Sequence, residues 1–273
     1  AGGPGGGARP ANITATAVAS QQWQGKRESI GSLTAVDRVA VSTEVAGTID
    51  TLDFDSGDQV ETGDRLAGLD TDVDRAELRG LEAEAELARI EFNRARDLLP
   101  QRAISQSQFD EARARLDSAN AAVNTQQARL DQKTIRAPFT GVLGLRQVSV
   151  GQYLAPGSDI VELQRLDPIY ADFTLPERFL TDVESGQTIE MRTSALDEVF
   201  SGEITAIDSA ITENTRSVSL RATLDNPDGR LRPGMFARVT VLEPVERSVL
   251  TIPRTAVSFN TYGDFVLRIN ETD

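Results

Sequence analysis

The side chains that carry most protein chemistry are scarce in this chain. Its 273 residues include no histidine and no cysteine, and Lys26 and Lys133 are its two lysines. Without histidine, the commonest acid–base group and the commonest metal ligand are missing. Without cysteine there is no thiol nucleophile, no cysteine zinc site and no disulfide, and the redox compartment cannot be read. Carboxylates are plentiful, above all in Asp50–Asp58 and Asp70–Asp74, and a pair of them could in principle trade a proton. A Gly-x-Ser-x-Gly elbow, a P-loop and a dinucleotide fingerprint are all absent. The carboxylates therefore read as solvated turns and a charged helix start. The expectation is a protein with no catalytic residues, no cofactor and no metal.

Charge and hydropathy narrow the class further. Twenty-eight basic residues against 42 acidic ones leave −14, so the basic footprint of a nucleic-acid binder is lacking. No apolar run approaches the eighteen or so residues of a membrane span. The opening Ala1-Gly-Gly-Pro-Gly-Gly-Gly7 has the composition of a flexible linker. From it a mature or trimmed form is expected, its targeting or anchoring segment missing.

The elements come into view through a repeat. Ala46–Leu69 slides onto Thr140–Leu163 by 94 residues without a gap. Gly47, Gly57 and Gly63 meet Gly141, Gly151 and Gly157, and the apolar positions follow, Ile49 with Leu143 and Phe54 with Val148 among them. Each copy reads as short strands broken by glycine turns. Glycines held at one offset imply the same positive-φ turns or close approaches built twice. One copy has too few strands to cover its own apolar face, so the two should pair into a single small sandwich.

Between the copies lies the strongest periodicity. Leu78, Leu81, Ala85, Ala88, Phe92, Ala95 and Leu99 are spaced three and four apart, and so are Phe109, Ala112, Leu116, Ala119, Val123, Gln126 and Leu130. These are heptad seams, with Gln126 the polar intruder. The first helix should run from about Asp72 to Leu99, stopped by Pro100, with Asp70, Asp72 and Asp74 at its positive end. The second should open on Ser105, with Gln108 completing a capping box. Pairing Leu78 with Leu130, Ala85 with Val123, Phe92 with Leu116 and Leu99 with Phe109 gives residue numbers that add to 208 each time. The expectation is an antiparallel coiled-coil arm in that register, gaining stability by packing against copies of itself. Later segments read as short strands: Ile169–Leu175, Thr188–Thr193, Gly202–Asp208, Arg216–Leu224 and Met235–Leu242, then Val249–Arg254 and Phe265–Ile269. A short helix is expected at Pro176–Val183. Two more strands precede the repeat, within residues 13–24 and 26–44.

Two half-motifs split by a helical hairpin resemble the lipoyl-like domain of periplasmic adaptors, the HlyD-like membrane fusion proteins of tripartite efflux pumps. Asp167-Pro-Ile-Tyr-Ala-Asp-Phe-Thr-Leu-Pro-Glu177 and the long stretch Thr215–Met235 are similar to the barrel of adaptors serving resistance–nodulation–division (RND) exporters. The family carries an Arg, a Leu four residues on and a Ser seven further along at the hairpin turn. Arg94, Leu98 and Ser105 stand at those spacings, and the resemblance implies that they touch the outer-membrane channel or a neighbouring tip. Each also has a plain structural reading: a helix-dipole partner, a seam flank and a cap. The resemblance further implies an inner-membrane proton-driven exporter as partner, a hexamer in the assembled pump, and a periplasmic location anchored to the inner membrane.

The expected fold is thus mainly β with an inserted helical hairpin, a lipoyl-like sandwich plus a small barrel in nested, discontinuous domains. Residues 1–11 are linker, 12–25 with 247–273 a partial membrane-proximal domain, 26–40 with 168–246 the barrel, 41–70 with 134–167 the lipoyl-like domain, and 71–133 the hairpin. Two rivals stand beside this reading. One is an adaptor of an ATP-driven exporter. The other is a biotinyl or lipoyl carrier, whose attachment lysine would sit in the turn that the arm has replaced; no lysine lies between Arg65 and Gln132.

Overall fold

Glycines set the corners of the sandwich. A computed structural model describes residues 15–269, with the backbone alone at residues 244–247. The expected linker, and the start of the first expected strand, lie outside the described residues. In chain order the elements are β1 (Ala19–Ser42), β2 (Gly47–Leu52), β3 (Gln59–Val60), β4 (Arg65–Leu69), α1 (Asp72–Leu98) and α2 (Gln106–Gln132). There follow β5 (Thr134–Arg136), β6 (Gly141–Leu143), β7 (Tyr153–Leu154), β8 (Asp159–Pro176), β9 (Thr188–Thr193) and β10 (Leu196–Thr212). The last are β11 (Ser217–Leu224), β12 (Phe236–Thr251), β13 (Ser258–Asn260) and β14 (Gly263–Phe265). The chain divides into two compact units, one of residues 32–172 with 223–236 and one of the remainder.

In the first unit the repeat becomes a two-fold exchange. Gly57, Gly63, Gly151 and Gly157 have φ of 93°, 91°, 83° and 81°, a backbone glycine takes without the Cβ penalty. Gly47 and Gly141 serve close approach instead. A Cβ at Gly47 would meet the Leu69 side chain at 3.1 Å, and one at Gly141 would meet Leu163, the counterpart of Leu69, at 3.2 Å and the Gln164 carbonyl oxygen at 2.4 Å. Hydrogen bonds obey the same offset. The Gly63 amide donates to the Ala137 carbonyl at 2.8 Å and the Gly157 amide to the Thr43 carbonyl at 2.7 Å; Leu143 donates to Asp58 at 2.8 Å and Ile49 to Gln152 at 2.9 Å.

Neither copy closes its own sheet. One sheet runs β5–β4–β2–β7, and its counterpart runs β1–β8–β6–β3, so each takes an outer strand from the other half. In register, Gly47 faces Leu154 in one and Gly141 faces Val60 in the other. The shared core repeats the pattern: Val41 with Ile135, Ile49 with Leu143, Phe54 with Val148, Val60 with Leu154, Leu66 with Ile160, Ala67 with Val161 and Leu69 with Leu163. Ala137 completes it opposite the buried Thr43. At the surface of this unit Arg38 donates a hydrogen bond to Glu162, which holds that carboxyl below its ordinary value.

The second unit is built of alternating strands. In β9 buried and outward residues alternate, and β11 does the same, the period-two pattern of a half-buried sheet. β9 pairs antiparallel with both β10 and β12, with a bulge between Leu196 and Val199. Ile189, Met191, Ile204, Val218, Leu220, Val239 and Val241 fill its core. Arg27 bonds Asp182 at 3.3 Å and Glu243 at 2.6 Å, with its guanidinium 4.9 Å from the centre of the Phe179 ring.

Several expectations are corrected in detail. The two early strands are one, β1, because Gly25 and Gly31 lie within a continuous ladder. The short helix after Pro176 is a 3-10 helix, Glu177–Asp182. At the C-terminal end β12 runs to Thr251, and only Phe265 of the expected last strand is in a strand, paired with Ser258.

Candidate functional site

The candidate site is the hairpin, since it replaces the turn on which a sandwich of this kind would otherwise present a residue. Each of its helices has 27 residues, roughly 40 Å at 1.5 Å per residue. α1 opens with Asp72 and Asp74 in its first turn, and Asp70 accepts a hydrogen bond from the Asp72 amide at 3.0 Å in place of a capping Thr71 hydroxyl. α2 opens on the expected box: Ser105 Oγ accepts from the Gln108 amide at 3.2 Å, and Gln108 Oε1 accepts from the Ser105 amide at 2.9 Å.

Every seam residue predicted on either helix is buried or half-buried. The register is not the expected one. Phe92 meets Phe109, ring centres 5.5 Å apart, numbers that add to 201 rather than 208. The buried Gln126 donates from Nε2 to the Asp74 carbonyl at 3.1 Å, a pair that adds to 200. The physical reason is that a heptad seam matches itself again after seven, so apolar spacing alone cannot choose between the two registers. The turn chooses: Leu99 to Ile104 reverse the chain through Arg102, at φ 55°, into the Ser105 cap. In the observed register Ala85 lies opposite Leu116 instead of Val123.

At the base, Lys133 is held. Its ammonium donates to the Asp70 carbonyl at 2.8 Å and pairs with the Asp74 carboxylate, its side chain only 16% exposed. It caps the joint between arm and sandwich and is not presented for acylation. A depression of about 530 Å³ beside it, lined by Val39, Glu44, Asp131, Ile135 and Arg136 among others, is open to solvent.

Arg94, Leu98 and Ser105 are brought to one end of the arm. Arg94 is exposed on α1, Leu98 is its half-buried last residue, and Ser105 is the N-cap of α2. Leu98, the seam flank beside Leu99, is half-buried as Leu99 is, and its carbonyl accepts from Gln101 at 3.2 Å and from Ala103 at 3.3 Å.

Sequence reasoning missed a second pair of stripes. On α1, Val73, Ala76, Gly80, Ala83, Leu87 and Ile90 are all exposed, Val73 at 79%, Leu87 at 58% and Ile90 at 47%. On α2, Ala114, Ser118, Ala121, Thr125 and Ala128 are all exposed. Both stripes step three and four residues at a time, which at 100° per residue puts each on the side of its helix away from the inner seam. The spacing was the available signal, hidden because small residues carry little weight in a hydrophobic pattern. Among the described residues there is no group of three metal-ligating side chains, and no helix is long and apolar enough to cross a membrane.

Comparison with known proteins agrees with this architecture. Residues 37–161 match the family model described as RND MFP, barrel-sandwich hybrid domain, and residues 168–244 match CusB-like, beta-barrel domain. Multidrug resistance protein MdtE of Escherichia coli is 32% identical over 262 residues, covering 85% of this chain and 68% of that protein. Multidrug resistance protein MdtA of Proteus mirabilis is 30% identical, covering 89% and 65%. The chain thus spans about two thirds of the length of these curated relatives. Among solved structures, a MacA–MexA chimera carrying the Pseudomonas aeruginosa MexA hairpin has a TM-score of 0.75 at 23% identity over 94% of both chains. A putative efflux transporter from Bacteroides eggerthii has a TM-score of 0.72 at 20% identity, over 97% of this chain and 84% of that one. At such identities the two structures bear on the fold alone.

Proposed function

The chain belongs to the RND membrane-fusion-protein family, and on that premise we propose that it is a non-catalytic periplasmic adaptor joining an inner-membrane proton-driven exporter to an outer-membrane channel. The exported cargo would be drugs or other small molecules, as the names of the multidrug-resistance relatives imply. The observation that carries this reading is the sandwich opened at its turn and refilled by a roughly 40 Å arm, with apolar or small stripes along both outer edges. Such an arm has no substrate to enclose. It has two edges to pack and one tip to present.

Self-association follows from those edges. The α1 edge carries Leu87 and Ile90 and the α2 edge is lined by alanines, Ser118 and Thr125, so a large ridge can lie on a smooth groove in the next copy. A contact between unlike edges repeats head to tail and makes a ring where its rotation closes; six copies is the number the family resemblance implies. The ATP-driven alternative is disfavoured by the RND barrel match at residues 168–244. The carrier alternative is disfavoured by the paired and largely buried Lys133.

The tip reading is tested in cells that depend on the pump. Leu98→Glu, or Ser105→Asp, which keeps a capping oxygen, is expected to lower drug resistance roughly tenfold or more, the weight of one interface hot spot. Thermal unfolding should stay unchanged for Ser105→Asp and fall only slightly for Leu98→Glu, whose side chain is half-buried at the helix end. Resistance at the parental level would remove the tip assignment and leave the fold untouched.

A further inference from the structure

The tip differs in charge from the arm beneath it. Between Phe92 and Phe109 the chain carries Arg94, Arg96 and Arg102 against one carboxylate, Asp97. The shaft of α1 from Asp72 to Glu91 carries seven carboxylates against three arginines, within a chain of net charge −14. Asp97 lies 3.5 Å from Arg96, and Arg94 and Arg102 are both exposed. The first turn of α2 has no acidic residue, so its positive end adds to the same field.

Arg102 is also held where its backbone is unfavourable. Eight glycines among the described residues have positive φ, and the two other residues that do are Arg102 and Arg216. At eight of the ten such positions among the described residues the chain puts glycine; at the tip it keeps a long cation there, against the Cβ penalty of the left-handed region. Strain retained at an exposed turn points to a use for the side chain.

We propose that Arg102, with Arg94, makes the tip an electropositive docking head for carboxylates on the rim of the channel partner. This rests on the adaptor reading and adds to it the chemistry of the partner surface. Guanidinium forks suit carboxylates because two parallel hydrogen bonds fix both distance and orientation. Charges of this kind act on encounter and register more than on final affinity. A protein rim is favoured over a lipid surface because no large apolar side chain is exposed between Ile90 and Leu145, and an interfacial anchor needs such residues to enter the acyl boundary.

The scarcity of lysine gives a direct test. Arg102→Lys places an amine at the tip of the full-length protein in cells that produce the pump. A carbodiimide then joins amine to carboxylate as an amide and takes up the elements of water as its urea. A link from position 102 to an Asp or Glu of an outer-membrane protein is expected. It should weaken several-fold on going from about 0.05 M to about 0.5 M salt, where screening is short-ranged. Arg75→Lys on the shaft should give none. A photo-crosslinking residue at Gln101 reports docking whatever its chemistry. If it captures a channel protein while position 102 yields no carboxylate link, the electrostatic proposal is overturned and the adaptor reading survives; the same holds if it captures lipid alone while export continues. If it captures nothing while export continues, the tip does not dock and both fall. Arg102→Gly, which relieves the left-handed backbone, should lower export while the melting temperature stays level or rises; unaltered export would also overturn the role of Arg102.

Discussion

At the residue scale, one amino acid serves two needs in the sandwich, and the two can be told apart. Gly57 and Gly151 hold φ near 90° with nothing within 4 Å of where a Cβ would stand. Alanine at either site should therefore cost only the left-handed penalty, about 1–2 kcal/mol, and the two costs should match because the two turns are equivalent. Gly141→Ala should cost more, since its Cβ would lie 2.4 Å from the Gln164 carbonyl oxygen and a backbone atom cannot swing aside. Urea unfolding of the three variants checks the order. Equal costs at all three would mean the exchange of strands is not what Gly141 protects. Lys133 teaches the converse at this scale. A lysine that composition marks as scarce is spent on capping a joint, where its partners Asp70 and Asp74 hold it.

At the element scale the hairpin shows what periodicity does and does not determine. Two seven-residue seams specify that the helices pair and run antiparallel, yet they fit equally well one heptad apart. Phe92 on Phe109 and Gln126 on the Asp74 carbonyl fix the shorter of the two alignments. A buried polar side chain with one satisfying partner is the usual device for pinning register, and a slip of one heptad would leave the Gln126 amide without that acceptor. Paired cysteines at Ala85 and Leu116 are accordingly expected to form a disulfide on mild oxidation. The pair Ala85 and Val123, about 10 Å apart along the arm at 1.5 Å per residue, should not, being beyond disulfide reach. The reverse result would restore the alignment in which numbers add to 208.

At the scale of the whole molecule the question is what the outer edges of the arm are for. A two-helix rod leaves most of its surface in water, and this one keeps Val73, Leu87 and Ile90 there. Gly80→Arg on the α1 edge enters open space and raises helix propensity by up to about 1 kcal/mol, so the arm itself should not suffer. The same change at Ala121 burdens the α2 edge. Both are expected to shift the protein toward smaller species in native mass spectrometry of the assembled pump, with helicity retained by circular dichroism. Assemblies of unaltered size would remove the edges as contact surfaces.

Much of this was legible from residue order alone. Glycine offsets gave the duplicated sandwich because backbone turns needing positive φ admit few other residues. Seam spacing gave both helices and their pairing, and Ser105 with Gln108 gave the start of the second. Composition showed directly that the chain has no histidine and no cysteine. Three matters were decided only in three dimensions. The exchange of edge strands between the halves depends on which partner completes each sheet, a long-range choice that no local pattern records. The register of the arm depends on the path of six turn residues, since the seam itself is degenerate. The outer stripes gain meaning only once the inner seams are filled, because a row of small residues differs from any solvated helix face only when the rest of the helix is known to be occupied.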